Sequence, residues 1–129
     1  MAGSKGSKYF DVFLNCKFWL NTKTGEEILG KDLLNILNDI ELEGSIQAAA
    51  EKNNVSYRKA WGDLKEAEEN LKFAIIEKKR GGKDGGTTIL TEDGKRMLEA
   101  FDELEKEFDE AIYKAAKKFF HRLNKNGKR

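Results

Sequence analysis

A single cysteine, Cys16, excludes an internal disulfide and, with no second thiol, a cysteine-based metal cluster. The only histidine, His121, stands among lysines without a paired acid or cysteine, so neither metal binding nor acid–base catalysis is expected of it. No apolar run approaches the roughly 20 residues that a membrane helix needs. The first seven residues, Met1 to Ser7, are small, polar and glycine-rich, unlike a signal peptide, and read as a flexible arm. A cytoplasmic setting without membrane contact is the expectation. The net charge is only +1, so bulk charge does not argue for a polyanionic partner.

The distribution of charge says more. From Lys72 to Lys83 five basic residues (Lys72, Lys78, Lys79, Arg80, Lys83) face one acid, Glu77. Acids dominate from Glu92 to Glu110. Lys114 to Arg129 then holds seven basic residues and no acid. A neutral chain with this arrangement still presents basic faces.

Hydrophobic period divides the chain into elements. Leu14, Cys16, Phe18 and Leu20 alternate with Asn15, Lys17 and Trp19, predicting a strand over 13–20. Asn21 to Gly25 is turn chemistry, and Glu26 to Leu29 reads as a short return strand. Leu33, Leu34, Leu37 and Ile40 mark a helix from Lys31 to Leu42, ended by Gly44. Ser45 caps a second helix reaching Lys52, with Ile46, Ala49 and Ala50 inward. After Asn53-Asn54, Ser56 caps a third helix over Tyr57–Leu71, whose buried stripe is Ala60, Leu64, Ala67 and Leu71. Phe73 to Lys79 and Thr87 to Thr91 form a hairpin around the glycine-rich tip Gly81–Gly86. Thr91 caps a last helix running to about Leu123.

Two helices joined by a short turn and followed by a basic hairpin predict a winged helix-turn-helix. The fold class is mainly α with small β-hairpins (α+β), extended by a long C-terminal helix. The expected partition is an arm over 1–8, a hairpin and winged helix over 9–91, a dimerisation helix over 92–124, and a basic tail over 125–129. On the third helix Arg58, Gly62 and Lys65 share the face opposite the buried stripe. Ser56, Tyr57, Arg58 and Lys59 form its first turn, and Ser45 and Gln47 open the helix before it. With Lys78, Lys79, Arg80 and Lys83 on the wing, these residues are the candidates for contact with double-stranded DNA. Tyr57 and Trp61, four residues apart on the helix, offer rings that stack on bases, but the pair reads rather as packing at the edge of the core. The tip does not have the order of a phosphate-binding P-loop.

Met97, Phe101, Leu104, Phe108, Ile112, Ala115 and Phe119 recur every three or four residues on the last helix. So long an apolar stripe predicts pairing with a second copy, with Phe101, Leu104, Phe108, Ile112, Ala115 and Phe119 as dimerisation residues. Packing on the N-terminal hairpin of the same chain is the other way to cover it. The acids Glu103, Glu105, Glu107, Asp109 and Glu110 read as a solvated face. No nucleophile–base pair is present, so an enzyme is not expected.

Four segments carry a family resemblance: Gly44-Ser-Ile-Gln-Ala-Ala-Ala50, Ser56-Tyr-Arg-Lys-Ala-Trp61, Gly81-Gly-Lys-Asp-Gly-Gly86 and Leu90-Thr-Glu-Asp-Gly94. Together they resemble the N-terminal DNA-binding domain of the ModE family of molybdate-responsive regulators, within the LysR-type winged-helix group. The resemblance covers about Asn15 to Leu104. It implies a bacterial homodimeric transcription regulator, with Ser56 to Lys59 at the start of the recognition helix and Gly81 to Gly86 as the wing. Asp84 and Thr87-Thr88 depart from the usual wing pattern. No oxyanion-binding module, small-molecule effector or cofactor is expected in this chain. The rival expectation is a protein-interaction module on the same scaffold without DNA binding, favoured by the near-zero net charge and the acidic stretch of the last helix.

Overall fold

A computed structural model of the protein describes residues 8–80 and 86–127. The elements run β1 (Leu20–Asn21), β2 (Glu27–Leu29), α1 (Lys31–Glu43), α2 (Ile46–Lys52), α3 (Tyr57–Leu71), β3 (Ile76–Lys79), β4 (Thr87–Leu90) and α4 (Glu92–Gly127). Both sheets are two-stranded and antiparallel, β1 with β2 and β3 with β4. The fold is a winged helix with a long C-terminal helix.

Residues 17–100 form one compact unit. Leu33, Leu34, Ile36, Leu37 and Ile40 of α1 are buried with Ile46, Ala49 and Ala50 of α2 and with Ala60, Leu64 and Ala67 of α3. The alanines matter because a methyl group lets helix axes approach where a larger side chain would hold them apart. Gly44 ends α1 in the left-handed region (φ 73°), and its N–H donates to the Ile40 carbonyl. Asn53 then ties α2 to α1, its Nδ2 donating to Asp39 Oδ2 at 2.8 Å and to the Ala49 carbonyl at 2.7 Å. Lys52 adds ion pairs to Asp39 and Glu43.

The wing is anchored from both ends. The Thr88 N–H donates to the Gly44 carbonyl at 2.9 Å, and the Thr91 N–H to the Ile75 carbonyl at 3.0 Å. The Thr91 hydroxyl donates to the Ala74 carbonyl and accepts from the Gly94 N–H, so one side chain caps α4 and fastens it beside β3.

Three elements differ from the sequence expectation. The strand expected over 13–20 is confined to Leu20–Asn21, because β2 offers only three residues before Gly30 opens α1. The strand expected from Phe73 begins at Ile76. Lys72 turns the chain in the left-handed region, and the Ile75 and Ile76 N–H groups are taken by Glu68 of α3. The last helix continues past Leu123 to Gly127, since no proline or capping residue intervenes.

The second compact unit comprises residues 8–16 and 101–127. In it Ala116 and Phe120 are buried, and the Tyr9 ring lies 6.1 Å from that of Phe120. Residues before the first hairpin thus cover part of α4, along a line one position beyond Ala115 and Phe119. Phe101 is buried, Leu104 and Ile112 are half-buried, and Phe108, Ala115 and Phe119 are exposed. Among the described residues no helix is long and apolar enough to cross a membrane.

Candidate nucleic-acid interface

The N-terminus of α3 is built by Ser56, whose Oγ accepts from the Lys59 N–H at 3.0 Å. From there the helical period sorts the side chains. Ala60, Leu64 and Ala67 are buried, and at about 100° per residue Arg58, Gly62 and Lys65 fall on the opposite side. Arg58 is exposed and has no ion-pair partner among the described residues. A Cβ added at Gly62 would meet open space, so the glycine leaves a shallow place beside Arg58 rather than relieving a contact.

The two flanks of α3 differ. On one, Lys59 Nζ lies 3.0 Å from Asp63 Oδ2, beside a cavity of about 220 Å³ lined also by Glu27, Asp32 and Glu66. The hydrogen bond to Asp63, with coulombic help from Asp63, Asp32 and Glu66, raises the Lys59 pKa. Lys59 thus pairs with Asp63 at the surface, on the acidic flank of α3 and about 100° around the helix from Arg58. On the other flank, Glu68 Oε2 accepts from the N–H groups of Ile75 and Ile76 at 2.8 and 3.1 Å. Glu68 Oε1 holds Lys65 at 3.2 Å, and Lys65 Nζ lies 5.8 Å from the centre of the Trp61 ring. This flank adjoins the start of the wing.

Sequence reading passed over Glu68, since an acid just beside a buried stripe looks like any solvated residue. Its role depends on a strand that begins eight residues later. Trp61 and Tyr57, read as core-edge packing, are 44% and 41% exposed.

The charge order along α3 runs against its own dipole. Arg58 and Lys59 occupy the positive N-terminal turn, which holds no acid, and Glu66, Glu68 and Glu69 crowd toward the negative end, which holds no base. In α4 the order is favourable, with Glu92 and Asp93 first and Lys125 last. The arrangement in α3 costs helix stability and concentrates positive potential at its N-terminal turns, where an anion would be stabilised.

The remaining candidates divide as follows. Ser45 Oγ accepts from the Ala48 N–H, and Gln47 Nε2 donates to Glu51, so both are engaged locally. In the wing, Lys78 pairs with Thr88 and Lys79 with Thr87, and strand alternation puts the two lysines on opposite faces of the hairpin. Lys78, Lys79 and Arg80 are exposed. Lys83 and most of the glycine tip lie outside the described residues. Among the described residues no group of three or more His, Cys, Asp or Glu is placed to hold a metal ion.

An α1–α2–α3 core with a basic hairpin after α3 defines the winged-helix class. Several relatives of the chain carry a common name. The chain is 34% identical over 69 residues to the DNA-binding transcriptional dual regulator ModE of Escherichia coli, 54% of this chain and 26% of that protein. It is 36% identical over 78 residues to the transcriptional regulator ModE of Haemophilus influenzae, 60% of this chain and 31% of that one. The molybdenum transport protein ModE of Azotobacter vinelandii is 32% identical over 93 residues, 72% of this chain and 34% of its own. Over these segments the chain is related to ModE regulators, and it spans about a quarter to a third of their length. No family model matches the chain.

Proposed function

We propose that this chain is a ModE-like transcription regulator, not an enzyme, that binds double-stranded DNA through the N-terminal half of α3 and the basic end of the β3–β4 hairpin. The observation that carries this reading is the outward stripe of Arg58, Gly62 and Lys65 on a helix whose charges oppose its dipole. A major groove admits such a helix, Arg58 has the planar fork that pairs with a guanine edge, and the open place at Gly62 permits close approach. Lys78, Lys79 and Arg80 supply phosphate contacts. Relatives named as DNA-binding transcriptional regulators support the same reading.

The chain acts as a homodimer, with the exposed apolar positions of α4, Phe119 among them, in the shared surface. A dimer presents two copies of α3 to a site with matching two-fold symmetry.

Gel-shift titration at two salt concentrations tests the proposal. Affinity is expected to fall steeply with salt, the logarithmic slope being about −0.9 per phosphate neutralised. Arg58→Ala is expected to weaken discrimination between sequences by about 1–3 kcal/mol, and Lys79→Ala to weaken all duplexes alike. Absent or salt-independent binding overturns the proposal and favours a protein-interaction module.

A further inference from the structure

We propose that Trp61 is an apolar base-reading group, positioned by Lys65 and Glu68 to contact the C5-methyl group of thymine in the major groove. The inference rests on the DNA-binding reading above and deepens it. Trp61 stands one turn after Arg58 and next to Gly62, on the flank of α3 that adjoins the wing. Trp61 as a whole residue is 44% exposed, on a helix whose inner side is packed by Ala60, Leu64 and Ala67. No side chain occupies the space beside it at Gly62.

Its surroundings hold it in place. Glu68 is fastened by the Ile75 and Ile76 N–H groups and grips Lys65, whose ammonium lies within cation–π distance of the indole. A residue serving only as core packing needs no such support on its solvent side. Tyr57, four residues earlier on the same flank and 41% exposed, extends the apolar strip toward the helix start.

The chemistry of the groove narrows what a flat apolar group at this place can recognise. Base-pair edges there present hydrogen-bond donors and acceptors, and the thymine methyl is the apolar feature among them. Cationic Arg58 and the phosphate-facing lysines hold the duplex, and the indole then favours a site with a methyl group against it. Glu68 and Lys65 are positioning residues, acting through Trp61.

The test uses the whole chain and duplexes it enriches from a randomised pool. Each thymine of an enriched duplex is replaced in turn by deoxyuridine, which removes only the methyl. At one or more positions the loss is expected to weaken binding by about four-fold, the burial of one such group. Trp61→Ala is expected to abolish that methyl preference while circular dichroism and the thermal midpoint show a folded protein, and Trp61→Phe to retain part of it. Indifference to every deoxyuridine, or an unchanged methyl preference in Trp61→Ala, overturns the inference but leaves DNA binding standing. Failure to enrich any duplex overturns both.

Discussion

Lys72 and Gly94 stand where the backbone favours glycine, for two different reasons. Lys72 closes α3 in the left-handed region at φ 68°, where a Cβ is unfavourable and glycine is free. Lys72→Gly is therefore expected to stabilise the protein by up to about 1 kcal/mol, seen as a higher urea midpoint with an unchanged slope. Gly94 has no unusual dihedral. A Cβ there would land on the Ile75 carbonyl oxygen, at the point where the first turn of α4 passes the start of the wing. Gly94→Ala is expected to destabilise by about 1–3 kcal/mol or more, since the obstacle is backbone that cannot repack. A glycine in the first turn of a predicted helix announces neither requirement by itself.

At the scale of elements, α3 and the wing are coupled through one carboxylate. Glu68 Oε2 accepts from two N–H groups at the start of the wing, that of Ile75 just before β3 and that of Ile76, its first residue. Glu68→Ala is expected to cost about 1–3 kcal/mol for the donors left unsatisfied, with faster hydrogen exchange at the Ile75 and Ile76 amides. Glu68→Gln, which keeps one acceptor oxygen, is expected to lose less. Unchanged exchange at these amides in Glu68→Ala would show that the wing is held by other contacts. The helices α1 to α3 were legible almost to the residue, because apolar spacing, Ser45 and Ser56 as caps, and Gly44 as a stop all act locally. The strands were not. Residues 13–19 have a fitting alternation, but a strand exists only where a partner runs beside it, and β2 ends at Leu29.

For the whole molecule, the stripe read on α4 is only partly covered by its own chain. Tyr9 reaches Phe120, whereas Phe119, Tyr113 and the N-terminal Phe10 and Phe13 remain exposed. Under the proposed homodimer, Phe119→Glu is expected to shift the sedimentation coefficient toward that of a monomer and to lower affinity for a two-fold symmetric duplex, with little change in helix content. A monomeric wild-type chain at micromolar concentration would remove the dimer from the proposal. Pairing of two copies also bears on the sign of the interface, since residues 102–110 are acidic and residues 114–125 basic along the same helix. The low net charge is thus compatible with strong local potentials of both signs.

The sequence by itself determined the helices, their caps and the outward face of Arg58, Gly62 and Lys65, because these follow from a period of 3.6 residues and from groups within one turn. Only the tertiary structure decided that Glu27 and Asp32 come to the flank where Lys59 meets Asp63. It also decided that Trp61 stays partly exposed on a support reaching to β3, and that Ala116 and Phe120 rather than their neighbours are covered. These outcomes depend on which distant surfaces meet, and long-range packing has no signature in local spacing.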